Sequence, residues 1–132
     1  MYCPIAIKKV PLGTYEERQI VTTSLTQMRV INEICSLKQA RHPNIVMMIG
    51  ISISDDDNLL ILTELCEQRS LKHFIQKYKG KIAQATKFKI LFDLAKALFY
   101  MHSLSPKVIH RDIKLDNIFV TAEFKAKLGD FG

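Results

Sequence analysis

The sequence predicts an α+β domain, strand-rich in its first half and helical in most of its second. Three observations predict it. Runs of β-branched and aliphatic residues at 5–10, 45–53 and 58–65 are bounded by turn-forming residues. At Ser70 the apolar period changes to that of a helix and keeps it to Ser103. Two short strand-like runs then return at 118–120 and 125–128. A chain of 132 residues fits one domain, and 48% hydrophobic against 24% charged residues gives enough apolar material for a core, which excludes disorder.

Composition excludes several function classes. The longest apolar run, Ile45 to Ile53, is broken by Gly50 and Ser52 and is far shorter than the ~20 residues of a membrane-spanning helix, so no membrane segment is expected. Met1 to Ile5 has no basic segment leading into an apolar stretch and a cleavage site, so a cytoplasmic protein is expected. Cys3, Cys35 and Cys66 are odd in number and lack zinc or redox spacing, which fits reduced thiols. The net charge of +6 is scattered, with no block of like charges, so no nucleic-acid partner is expected. Part of that charge suits a cleft for a polyphosphate.

Ile5 to Val10 reads as a strand entering a loop at Pro11-Leu12-Gly13. Tyr15 to Val21 is polar and reads as an extended approach to a helix that begins near Ser24, where Ser24 and Gln27 have capping-box spacing. Val30, Glu33, Ile34 and Leu37 share one face of that helix. A carboxylate on an apolar stripe requires a cation, and Lys8 is the candidate. The runs at 45–53 and 58–65 read as an antiparallel hairpin around Ser54-Asp55-Asp56-Asp57. Adjacent carboxylates splay apart, so this cluster reads as a turn and not as a metal site.

Ser70 caps a helix bearing Leu71, Phe74, Ile75 and Tyr78 that ends near Gly80. A second helix runs from about Gln84 to Ser103, and its stripe of Phe88, Leu91, Phe92, Ala95, Leu98, Phe99 and His102 is expected to face the core. Ile118-Phe119-Val120 and Lys125-Ala126-Lys127-Leu128 form a small hairpin with Asn117 and Asp130 at its opposite ends. Two oxygen ligands brought close there suit Mg²⁺, which keeps waters and substrate phosphates as its other ligands.

His110-Arg111-Asp112-Ile113-Lys114-Leu115-Asp116-Asn117, followed by Asp130-Phe131-Gly132, resembles the H-R-D-L-x-x-x-N and D-F-G motifs of protein kinases. Ile5 to Lys8 resembles the V-A-I-K of the third kinase strand. Glu33-Ile34-x-x-Leu37 with Arg41-His42-Pro43-Asn44-Ile45-Val46 resembles the end of the kinase C-helix and the link to the fourth strand. Leu59 to Cys66 is similar to the fifth strand and hinge. The interval from Lys8 to Glu33 is longer than usual in the family, which implies an enlarged loop before the helix.

The resemblance implies an incomplete, protein-kinase-like two-lobe fold. Residues 1–69 would form part of the N-lobe with the hinge, and 70–132 part of the C-lobe through the catalytic loop and D-F-G. It implies ATP and Mg²⁺ as cofactors. Asp112 would take or orient the substrate hydroxyl proton, Lys114 would steady the γ-phosphate, and Lys8, held by Glu33, would position the α- and β-phosphates. Asn117 and Asp130 would bind Mg²⁺. Thr63 would be the gatekeeper, the backbones of Glu64 and Cys66 would pair with adenine, Ala6 would be its roof and Phe119 its floor. His110, Phe131, Leu37 and Ile49 would stack into an apolar column coupling the helix to the Asp130 turn.

Lys114 resembles serine/threonine kinases, which implies a protein substrate with a Ser or Thr hydroxyl. Leu115 stands where many serine/threonine kinases have Pro, while Phe119 and Gly129 resemble the tyrosine-kinase-like group of serine/threonine enzymes that includes the Raf kinases. No Gly-rich loop precedes Lys8 and no A-P-E segment follows Gly132, so the expectation is a fragment of a larger parent protein with flanking domains. A truncated, catalytically inactive module that binds or regulates a partner stays open as the alternative.

Overall fold

The computed structural model describes residues 4–11 and 21–130, without the side chains of 21–27 and 37. Its architecture is α+β. Strand β1 (Ile5–Pro11), helix α1 (Val21–Gln39), β2 (Met48–Ile53) and β3 (Asn58–Glu64) come first, and the strands form an antiparallel sheet in the order β1-β3-β2. Asn58-Leu59-Leu60-Ile61-Leu62-Thr63-Glu64 takes the central place and is the least exposed of the three strands, with Ile61 1% exposed. Both edge strands are largely exposed.

Helix α1 starts at Val21 and not near Ser24. The β-branched Val21-Thr22-Thr23 costs only tenths of a kcal/mol per residue in a helix, little against extending an established one. The proposed capping pair involves side chains outside the described set, and most of the Tyr15–Val21 approach lies outside the described residues. On the expected face, Val30 and Glu33 are buried and Ile34 packs against the core. The acidic cluster between β2 and β3 is a turn: Ser54 O and Oγ accept from the N–H groups of Asp57 and Asn58, and Asp57 takes φ +56°.

The second half carries α2 (Leu71–Lys77), α3 (Gln84–Ser103), a 3₁₀ turn at Leu115–Asn117, and the hairpin of β4 (Ile118–Val120) and β5 (Ala126–Leu128). Ser70 caps α2 by accepting from the His73 N–H, and Gly80, at φ +70°, closes its end on Ile75 O. Phe74, Tyr78 and Phe124 pack ring to ring beneath it.

Helix α3 has the expected bounds but the opposite face inside. Ile90, Asp93, Ala97 and Met101 are buried, whereas Phe88, Leu91, Phe92, Ala95, Phe99 and His102 are exposed; of the expected stripe only Leu98 touches the core. Asp93 can face inward because its carboxylate accepts the Ala126 N–H at 3.1 Å and pairs with Lys96 at 2.9 Å.

Both halves meet on the β4–β5 hairpin. Residues 44–46 run beside β5, with Leu128 N–H donating to Asn44 O, Val46 N–H to Leu128 O, and Asn44 Nδ2 to Ala126 O. On the other side, Gln68 N–H donates to Val120 O and Val120 N–H to Arg69 O. The register Ile118↔Leu128 brings the two chain ends of this hairpin together, so Asn117 and Asp130 leave it at the same open end.

Candidate active site

Between the sheet, α1 and the β4–β5 hairpin lies a cavity of about 370 Å³ lined by Ala6, Lys8, Glu33, Thr63, Glu64, Cys66, Phe119 and Asp130, together with Arg69 and Gly129. Sheet register sets its length. Ile5 and Ala6 lie opposite Glu64 and Thr63, whereas Lys8 is opposite Ile61. Lys8 therefore stands about 10 Å along the strand from the hinge end. Such a slot suits a ligand with a flat apolar end and a distant anionic end.

At the far end, Lys8 Nζ lies 2.8 and 3.0 Å from the two Glu33 carboxylate oxygens and 3.2 Å from Asp130 Oδ1. Burial acts to lower the Lys8 pKa, but the Glu33 hydrogen bond and the Asp130 and Glu33 charges together outweigh it and hold the ammonium above its ordinary range. The buried Glu33 thus has the cation that its place on the α1 stripe requires. Asp130 takes φ +50°, a conformation non-glycine residues adopt rarely.

A second cluster lies on the catalytic-loop side. Asn117 Nδ2 donates to Asp112 O and Oδ2, each at 2.9 Å, and Lys114 Nζ lies 3.0 Å from Asp112 Oδ2. The Lys114 hydrogen bond, aided by that of Asn117 against a smaller desolvation effect, holds the Asp112 carboxyl below its usual range. Asn117 Oδ1 has no partner among the described residues, which leaves an oxygen ligand free.

Gly129 joins the clusters. Its N–H donates to Asn117 O at 3.0 Å, and its carbonyl accepts from His110 Nε2 at 2.6 Å. His110 Nδ1 in turn accepts the Asp112 N–H at 3.2 Å. A Cβ at Gly129 would lie 2.9 Å from the Phe119 ring and 3.0 Å from Val46, so only glycine fits there without displacing a neighbour.

The apolar column expected from the resemblance needs one correction. Ile49 is 47% exposed and sits at a register shift in β2, whereas its neighbour Met48 packs against the core. A bulge adds a residue and turns the next side chain to the other face. His110 is buried; Phe131 and the Leu37 side chain lie outside the described residues.

Two residues at or behind the cavity wall escaped the sequence reading. Arg69 takes φ +62° at the cavity wall. Lys127 pairs with the Glu64 carboxylate at 2.7 and 2.9 Å. The alternation of Ala126-Lys127-Leu128 gives Lys127 a face, but a period of two cannot name the partner across it. The Cys66 N–H has no partner among the described residues, and the Cys66 thiol is pushed up to about 11 by burial, with Glu64 adding to the effect. Among the described residues no cluster of three or more His, Cys, Asp or Glu could hold a metal, and no helix is long and apolar enough to cross a membrane.

The family described as the protein kinase domain matches residues 2–132. Among similar proteins, one named as a serine/threonine-protein kinase/receptor of Acanthamoeba polyphaga mimivirus is 34% identical over 97% of this chain and 7% of its own length. One named as an LRR receptor-like serine/threonine-protein kinase of Arabidopsis thaliana is 37% identical over 96% of this chain and 22% of its own. An EPD1-interacting receptor-like cytoplasmic serine/threonine-protein kinase of Nicotiana benthamiana is 30% identical over 98% and 26%. The chain thus spans only a small part of the relatives it matches. With a family match along nearly its whole length, over a cavity that brings Lys8, Glu33 and Asp130 together, the chain belongs to the protein kinase domain family.

Proposed function

We propose that this chain is the nucleotide-binding and catalytic-loop part of a kinase that transfers the γ-phosphoryl group of ATP to serine or threonine hydroxyls of proteins. The observation that carries the reading is Lys8 held between Glu33 and Asp130 at the end of a cavity whose Gly129 backbone ties it to the Asp112–Asn117 cluster. ATP with Mg²⁺ supplies the transferable group and neutralises charge on it.

The chain's own residues do the rest by positioning. Cys66 offers its open N–H to the base, with Ala6 above and Phe119 below, and Thr63 closes the back of the cavity. Lys8, fixed by Glu33, binds phosphate oxygens. Asn117 Oδ1 and the Asp130 carboxylate are the oxygen donors for Mg²⁺, a pair suited to an ion that retains water and phosphate ligands. Asp112 orients the substrate hydroxyl and takes its proton, and Lys114 beside it stabilises charge on the transferring group.

The test is made in the protein that carries this chain, with a mixed serine, threonine and tyrosine peptide substrate. Asp112→Asn and Lys8→Met should each lower phosphoryl transfer from ATP by at least about a hundredfold, with the melting curve retained. Transfer should appear on serine and threonine. Undiminished transfer by either variant overturns its role, and phosphotyrosine alone overturns the hydroxyl assignment.

A further inference from the structure

Glu64, at the hinge end of β3, is held twice. Its N–H donates to Met47 O at 3.0 Å and its Oε1 accepts the Met47 N–H at 2.8 Å, while Lys127 Nζ from β5 binds both carboxylate oxygens. With side chains 14% and 21% exposed, this is the one ion pair among the described residues in which both partners are largely enclosed. Glu64 lines the nucleotide cavity, and it also lines a second cavity of about 510 Å³ behind the hinge, shared with Lys127 and Met47. The hinge is therefore a wall between two open spaces. Packing cannot fix such a wall, and a directional ion pair can.

We infer that Lys127 is a positioning residue for nucleotide binding, acting through the Glu64 carboxylate on the hinge backbone; the inference rests on the nucleotide-pocket reading above. Without Lys127, the enclosed carboxylate loses its cation and turns toward water in the rear cavity, carrying the hinge with it. Hydrogen bonds from the hinge to the base weaken steeply with misalignment. Phosphate binding at Lys8, about 10 Å away along the strand, is not the affected step.

Titration calorimetry of the protein that carries this chain, with adenosine and with Mg-ATP, tests this. Lys127→Met should weaken both ligands by the same factor, about five- to tenfold, the scale of one compromised hydrogen bond. Lys127→Arg should restore most of the affinity. Glu64→Gln should match Lys127→Met, and the double variant should be no worse than either alone. The double variant leaves no enclosed unpaired charge, so it carries the comparison if Lys127→Met fails to fold. Unchanged adenosine affinity, or a loss confined to Mg-ATP, overturns the role of Lys127 alone. If the unaltered protein binds neither ligand, the nucleotide-pocket reading falls and this inference with it.

Discussion

Cys35 and Cys66 have the same side chain in opposite surroundings. Cys35 is exposed on α1, whereas Cys66 is 6% exposed at the hinge, where burial and the Glu64 charge push its thiol up to about 11. At pH 7.5 its reactive thiolate is then about three orders of magnitude rarer than the thiol. Iodoacetamide labelling followed by peptide mapping should therefore modify Cys35 well before Cys66. Equal rates would mean that the hinge opens often enough to expose Cys66. At this scale the pairing of Lys8 with Glu33 and the closeness of Asp112 and Asn117 were legible in the sequence, because residue types at fixed spacing set them on neighbouring elements. The Cys66 environment was not, since it depends first on burial and then on nearby charges, both of which are set by packing between distant strands.

Between the residue and the molecule stands the β4–β5 hairpin, which aligns both halves of the site through the Gly129 backbone. Gly129→Ala should destabilise the chain by about 1–3 kcal/mol in denaturant unfolding, the cost of forcing a methyl group into a packed contact. The same variant should weaken adenosine binding, because the Phe119 ring that must move is the cavity floor. Full stability with full affinity would show that this floor yields freely. The hairpin was legible from alternating apolar residues and flanking motifs. Strand β2 was misread at one position because alternation fails across a bulge: Ile49 faces solvent and Met48 turns inward. The start of α1 was misplaced because capping-box spacing at Ser24 and Gln27 is also compatible with positions inside a longer helix.

For the molecule as a whole, the informative misreading is α3. Both of its faces are apolar, so periodicity defines two stripes without telling which is inside. The stripe with Asp93 is the buried one, because the Ala126 N–H and Lys96 satisfy that carboxylate. The aromatic stripe is left outside, with Phe88, Leu91, Phe92 and Phe99 between 62% and 79% exposed. A second apolar surface lies on one face of β2, where Ile51 and Ile53 are 55% and 65% exposed. Patches of this kind on a protein in water drive association. The 132-residue chain made alone should self-associate in sedimentation velocity, more at high salt, where screening removes the repulsion from its +6 charge. The α3 face offers four large side chains along one rigid element and should dominate. Phe92→Glu with Phe99→Glu should shift the chain toward monomer without changing adenosine affinity, since neither residue lines the cavity. If association persists in that variant and is abolished by Ile51→Lys with Ile53→Lys, the sheet is the adhesive surface and the α3 assignment is wrong.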